Sequence, residues 1–91
     1  MKHEKHRKYI VSWTDKALKD LRRLDKPLTT RIVTSVNTFA EEGRGDVKKL
    51  TDAGGEYRLR VGDWRVRFTL DEEIKVLSVI RVLPRGEVYK R

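Results

Sequence analysis

Residues 57–68 read YRLRVGDWRVRF, and this stretch decides the fold of the chain. Apolar residues alternate strictly with arginines on both sides of Gly62-Asp63, the pattern of a β-hairpin with a two-residue loop. A loop at this pair sets the register. The predicted opposite pairs are Val61 and Trp64, Arg60 and Arg65, Leu59 and Val66, Arg58 and Arg67, and Tyr57 and Phe68.

This register gives the hairpin one apolar face and one face with four arginines, Arg58, Arg60, Arg65 and Arg67, which we call the arginine face. Like charges that lie directly opposite each other across two strands destabilise a sheet. The predicted pairing makes two arginine–arginine pairs, so we expect a polyanion to compensate for them. The hairpin alone therefore suggests a phosphate-binding surface.

Composition favours one small, folded, strongly basic domain over residues 1–91, with residues 1–8 as a frayed basic tail. Charged residues make up 40% of the 91 residues and apolar residues 37%, but the apolar residues are periodic, which argues against disorder. The net charge of +8 suits nucleic acid, an anionic membrane or an acidic protein. Cysteine is absent, which excludes disulfides and thiolate chemistry. No apolar run is long enough for a membrane span or signal peptide, so we expect a cytoplasmic protein that does not bind membranes.

The rest of the chain predicts the remaining elements. Residues 9–13 alternate as a first strand, and Thr14 is a suitable N-cap for a helix that ends near Asp25. A second helix begins near Pro27 and stops at Gly43. Residues 42–56 are the loosest part, with Leu50 anchoring a loop or short strand.

After the hairpin, residues 71–73 form an acidic turn, and residues 74–83 are the most β-prone run, consistent with a central strand that ends at Pro84. The predicted order is β-α-α-β-β-β, an α+β fold. Its sheet is largely antiparallel, with the helical hairpin packed on one face and the arginine face on the other. A DNA-binding helix-turn-helix fits less well, because the two helices must pack on the apolar face of the sheet to bury it.

Several kinds of site are disfavoured. No glycine-rich loop opens a helix, and both histidines, His3 and His6, lie in the basic tail, so neither a nucleotide-binding loop nor a Ser-His-Asp triad is expected. His3 and His6 lack the further ligands of a metal site, and the acidic turn at 71–73 is more typical of a solubilising surface than of a magnesium site. We expect no metal and no cofactor.

The arginines fit a phosphodiester, because guanidinium groups bind phosphate oxygens in pairs and stabilise charge that develops on the phosphorus. If a ribose 2′-OH is the nucleophile, the protein needs only to orient the RNA, to stabilise the developing negative charge and to transfer protons. The residues alone leave open a second interpretation, in which the arginines solvate a sheet face or meet an acidic protein.

The hairpin, the preceding KKL at 48–50 and the C-terminal IRVLPRGEVY at 80–89 together resemble the RelE/ParE superfamily of toxin-antitoxin toxins. For RelE-like members, the resemblance implies a ribosome-dependent endonuclease that cuts mRNA by 2′-OH attack. It implies three partners: the ribosome, its mRNA, and a cognate antitoxin that forms a hetero-oligomer with the toxin.

The resemblance also implies site residues. The family's basic pair falls on Arg58 and Arg60, its arginine after the turn on Arg65, its late arginine on Arg85, and its C-terminal tyrosine on Tyr89. RelE-like nucleases often carry lysine in the basic pair, and arginine cannot lose a proton. Either proton transfer is therefore expected from Tyr89, or from Lys48 or Lys49, or the protein is expected to cut slowly. Substrate binding is expected from Lys48, Lys49, Arg67 and Arg81.

Two other functions remain in competition with the nuclease. One is a ParE-like inhibitor of DNA gyrase without a nuclease site, and the other is a non-catalytic basic module that binds RNA or an acidic protein. The combination of Arg65, Arg85 and Tyr89 favours the nuclease.

Overall fold

The computed structural model describes residues 9–50 and 54–86, and its sheet has five strands. The elements are β1 (Ile10–Trp13), α1 (Asp15–Arg22), α2 (Lys26–Glu42), β2 (Asp46–Lys49), β3 (Glu56–Val61), β4 (Trp64–Asp71) and β5 (Val76–Pro84). The strand order is β1-β5-β4-β3-β2, in which only the β1–β5 pair is parallel. The predicted α+β class is confirmed. The predicted basic tail, with His3 and His6, lies outside the described residues.

The β3–β4 hairpin has the predicted register at all five pairs, from Val61 opposite Trp64 to Tyr57 opposite Phe68. Gly62 has a φ of 60°, whereas Asp63 is not among the residues with positive φ. A positive φ at the first loop residue alone is the mark of a type II′ turn, which requires glycine there. The local sequence thus determined both the turn and the side of the sheet on which each hairpin residue lies.

The two helices begin where the sequence predicts. The Thr14 side chain accepts a hydrogen bond from the Ala17 amide at 3.2 Å, as an N-cap does. Helix α1 ends at Arg22, earlier than predicted, because Asp25 caps α2 by accepting from the Leu28 amide at 3.1 Å. Gly43, with φ of 75°, ends α2 as predicted.

Strand β2 is the main addition to the predicted topology. It pairs antiparallel with β3 and places Val47 opposite Leu59 on the core side. Its sequence, DVKK, has one apolar residue, so its pattern is too short to identify a strand without the neighbouring edge of β3.

Strand β5 has a neighbour on each side, as predicted for residues 74–83. It begins two residues later than predicted. The Asp71 carboxylate accepts hydrogen bonds from the amides of Glu73 and Ile74, at 3.0 and 3.2 Å, and this holds residues 72–75 in a turn.

The core lies between the helices and the apolar face of the sheet. Its largest fully buried side chains are Phe68, Ile32, Leu77, Val36, Val66 and Val79. The Phe68 ring lies 5.5 Å from the rings of both Phe39 and Tyr57, which joins α2 to the hairpin. The helices therefore cover the apolar face of the sheet and not the arginine face. In the described part of the chain, no helix is long and apolar enough to cross a membrane.

Candidate functional site

The members of the arginine face differ in how much of each side chain is exposed. The Arg60 side chain is 55% exposed, whereas those of Arg58 and Arg67 are 13% and 21% exposed. All three guanidinium groups contact a carboxylate. Two carboxylates that the sequence reasoning did not assign to the site provide these contacts.

Asp46, the first residue of β2, binds two of the arginines. Arg58 Nη1 donates to the Asp46 backbone oxygen at 2.9 Å and to its Oδ1 at 3.3 Å. Arg60 Nε lies 2.9 Å from Asp46 Oδ2. Asp46 is directly opposite Arg60 in the β2–β3 pair, so its carboxylate lies beside one of the two arginine–arginine pairs.

Glu56 provides the second carboxylate. Arg67 Nε donates to Glu56 Oε1 at 2.8 Å, and Arg67 Nη2 contacts the same oxygen. The sequence contained the signal for this contact, because Glu56 precedes Arg58 by two positions and so shares its face of the strand. The chain's own acidic residues thus offset charge repulsion that we had expected a polyanion to relieve.

Arg65 and Arg85 lie together at the turn end of the hairpin. Arg65 Nη1 donates to the backbone oxygens of Gly62 and Trp64, at 2.9 and 3.0 Å. The Arg85 amide donates to the Asp63 oxygen at 2.8 Å, which fixes the end of β5 against the turn. Arg85 is exposed. Arg65 is directly opposite Arg60, so three arginine residues lie at this end of the sheet.

The other predicted site residues are more dispersed. Lys48 is exposed and pairs with Arg58, which places it on the arginine face, whereas Lys49 pairs with Tyr57 and so belongs to the other face. Tyr89 lies outside the described residues.

Arg81 is directly opposite Arg67 but binds helix α1. Arg81 Nε and Nη2 donate to the two oxygens of Asp20, at 2.8 and 3.1 Å, and the Val82 amide donates to Asp20 Oδ2 at 2.8 Å. Strand β1 pairs with β5 only as far as Trp13 opposite Val79. Asp20 therefore provides an acceptor for the edge of β5 that β1 does not reach.

Burial of Asp20 opposes ionisation of its carboxyl group. The hydrogen bonds from Arg81 and Val82, with the charges of Arg81 and Arg23, outweigh burial and hold the pKa of Asp20 below its usual value of 3.8. Asp20 is thus an ionised anchor for Arg81. This contact gives Arg81 a structural role that the sequence reasoning missed.

The geometry at the turn end fits an anionic ligand. Arg60 and Arg65 lie on adjacent strands and Arg85 follows the end of a third, and guanidinium groups bind phosphate oxygens in pairs. Across residues 9–50 and 54–86, no three histidine, aspartate or glutamate side chains are grouped to hold a metal ion.

Comparisons with known proteins agree with this fold. The chain is similar to RelE in the RelE–RelB complex of Pyrococcus horikoshii, with a TM-score of 0.73 and 29% identity over 88% of this chain and 98% of that one. It also resembles a chain of the RelBE2 toxin-antitoxin complex of Mycobacterium tuberculosis, with a TM-score of 0.78 and 24% identity over 88% and 94% of the two chains.

A chain of the intact RelBE complex of E. coli has a TM-score of 0.71 and 20% identity, over 86% of this chain and 98% of that one. The comparison with curated protein sequences gave no significant match. The family model for the ParE toxin of type II toxin-antitoxin systems, parDE, matches residues 11–89. The chain therefore belongs to the RelE/ParE superfamily and is a toxin of a type II toxin-antitoxin system.

Proposed function

We propose that this toxin is a ribosome-dependent endoribonuclease that cuts mRNA without a metal ion, by attack of a ribose 2′-OH on the adjacent phosphate. The observation that carries the proposal is the grouping of Arg60, Arg65 and Arg85 at the turn end of the hairpin. Similarity to RelE chains over most of their length supports it.

The proposed roles follow from what each side chain contacts. The Arg65 side chain donates to two backbone oxygens through Nη1, so its other donors are available to phosphate oxygens. Arg85 contacts the turn through its backbone amide, so its exposed side chain is available as well. They would stabilise the negative charge that grows on the phosphate in the transition state. Arg58 and Arg67 bind Asp46 and Glu56, so their main role would be to support the face rather than to bind the scissile phosphate.

A guanidinium group cannot remove the 2′-OH proton, since arginine stays protonated in proteins. The proton acceptor must therefore be a different side chain. Lys48 is a better candidate than Lys49, because only Lys48 shares the arginine face. Tyr89 is the other candidate, and its phenol would need neighbouring cations to lower its pKa from about 10.

The proposal includes a cognate antitoxin and action in the cytoplasm, where translating ribosomes are found. Three similar solved structures are complexes of RelE with RelB. An antitoxin segment with acidic side chains would bind the arginine face and neutralise part of the +8 charge.

The test is a cleavage assay with purified toxin, ribosomes programmed with mRNA, and a chelator, followed by mapping of the mRNA ends. We expect cuts that end in a 2′,3′-cyclic phosphate. Arg65→Ala should reduce the cleavage rate about 10²- to 10³-fold, the usual effect of removing a transition-state donor. Arg22→Gln, which removes one charge from the exposed surface of α1, is the matched control and should cut normally.

A second candidate function is inhibition of DNA gyrase, because the family model that matches is that of ParE. A supercoiling assay with the same protein separates the two. Intact mRNA together with blocked supercoiling would contradict the nuclease and establish the gyrase inhibitor. Tight RNA binding with neither activity would instead indicate a non-catalytic module.

A further inference from the structure

A concavity lies beside the arginine face, between α2 and the beginning of β2. Its volume is about 260 Å³. Helix α2 contributes three hydroxyl side chains and the opposite wall contributes two arginines and an aspartate. The lining residues are Thr34, Ser35, Thr38, Arg44, Gly45, Asp46, Leu59 and Arg60. We call it the α2–β2 cleft.

The hydroxyls form a stripe that extends toward the hairpin turn. Thr34, Ser35 and Thr38 follow Arg31 at intervals of three, four and seven residues, which places all four on one side of α2. The Arg31 guanidinium lies against the turn, 3.1 Å from the position that a Cβ on Gly62 would occupy. Cationic and hydroxyl groups are therefore continuous from the turn end of the hairpin into the cleft.

The lining chemistry identifies the class of ligand. Leu59 is the only lining residue with an aliphatic side chain, and the cleft is smaller than the usual pocket for a small molecule, about 300–1,000 Å³. Arg44 binds Glu42 and Arg60 binds Asp46, and the donors that these pairs leave can bind phosphate. Hydroxyl and carboxylate groups hydrogen-bond sugar hydroxyls. The lining thus fits a ribose–phosphate unit.

Arg60 connects the cleft to the arginine face. It lines the cleft and is also directly opposite Arg65, and side chains in such pairs are about 5 Å apart at Cβ. A strand bound at Arg65 and Arg85 can therefore continue past Arg60 into the cleft. We propose that the α2–β2 cleft binds a ribose–phosphate unit of the mRNA that flanks the phosphate held at Arg65 and Arg85. The assignment to mRNA rests on the proposed nuclease function.

The first test measures binding without cleavage, by titrating the full chain with a short single-stranded RNA and following backbone amide signals by NMR. We expect saturable shifts at Ser35, Thr38 and Gly45. Ser35→Ala with Thr38→Val removes two hydroxyls at nearly constant volume. Each lost hydrogen bond should weaken RNA binding about 2- to 10-fold. Arg44→Gln should also weaken binding, whereas Arg22→Gln is the charge-matched control.

Three outcomes of this titration would overturn the inference. The first is the absence of shifts at the cleft when amides of the arginine face do shift, and the second is equal weakening by Arg22→Gln. The third is an acidic peptide that shifts the same amides as strongly as RNA, which would assign the cleft to a protein partner. Single-stranded DNA of the same sequence should bind more weakly than RNA, and equal binding would contradict recognition of the ribose.

A second arm separates this inference from the nuclease proposal. The double variant should bind ribosomes programmed with mRNA less tightly than the unmodified toxin does, and the two should bind empty ribosomes equally. An equal loss on empty ribosomes would assign the cleft to ribosomal RNA and overturn the mRNA assignment. If the toxin cuts no mRNA but its cleft amides respond to RNA, the nuclease proposal fails while RNA binding at the cleft stands.

Discussion

Two aspartates each bind arginine in this molecule, in surroundings that differ in burial. Asp20 binds Arg81 at the junction of α1 and β5, where the Asp20 side chain is 9% exposed. Asp46 binds Arg58 and Arg60 at the edge strand β2, where its side chain is 49% exposed. Asp20 also accepts from the backbone of β5, whereas Asp46 also lines the α2–β2 cleft.

The difference shows that the contribution of a carboxylate to stability depends more on its burial than on the chemistry of the group. Loss of Asp20 would remove the acceptor of the buried Val82 amide and two charged hydrogen bonds from Arg81, which is costly. Water can replace Asp46, because exposed ion pairs are screened and contribute little. We therefore expect Asp20 to support the fold and Asp46 to tune the charge of the site.

The largest stability effect is expected for Asp20→Ala. The change should lower the free energy of unfolding by about 2–3 kcal/mol, the upper range for hydrogen bonds to a charged group. Urea unfolding followed by circular dichroism measures it. Asp20→Asn keeps an acceptor for the Val82 amide but loses the charge that Arg81 binds. Its stability should therefore lie between that of Asp20→Ala and that of the unmodified toxin. A variant as stable as the unmodified toxin would show that the junction does not depend on this carboxylate.

The same cluster predicts how stability depends on pH. The folded-state pKa of Asp20 is below 3.8, so the unfolded state binds a proton first as pH falls. The stabilisation is therefore complete above pH 4 to 5 and is lost as pH falls through the folded-state pKa. Urea midpoints at pH 7 and pH 3 should show a smaller difference between the unmodified toxin and Asp20→Ala at pH 3. An unchanged difference would contradict this assignment.

A smaller effect is expected for Thr14→Ala, which affects the same junction as Asp20. The Thr14 hydroxyl caps α1 and also donates to the Ile80 oxygen of β5 at 3.1 Å. Loss of an N-cap typically costs about 1 kcal/mol. Thr14→Ser retains the hydroxyl and should restore most of the thermal stability. If Thr14→Ser melts as early as Thr14→Ala, the methyl group and not the cap is responsible.

The smallest stability effect is expected for Asp46→Ala, below about 1 kcal/mol, because the ion pairs that it removes are solvated on the aspartate side. Urea unfolding under the conditions used for Asp20→Ala gives the direct comparison. A loss as large as that of Asp20→Ala would remove the distinction between the two clusters and make Asp46 a structural residue.

Sequence patterns predicted those features that depend on neighbours along the chain. The Thr14 and Gly43 helix ends and the register of the hairpin follow from local preferences and alternation. The sequence did not predict strand β2 as a separate element. This four-residue segment has one apolar position, and it gains its strand hydrogen bonds only from the edge of β3.

The sequence by itself determined which residues form the arginine face, because alternation with a period of two assigns every hairpin side chain to one side. Only the tertiary structure decided which of those arginines are available. Asp46 lies 12 and 14 residues before the two arginines that it binds, Arg58 and Arg60, and local periodicity carries no information on such contacts. Folding thus changed a uniform row of charges into three arginines held by carboxylates, Arg58, Arg60 and Arg67, and one, Arg65, held by backbone oxygens at the hairpin turn.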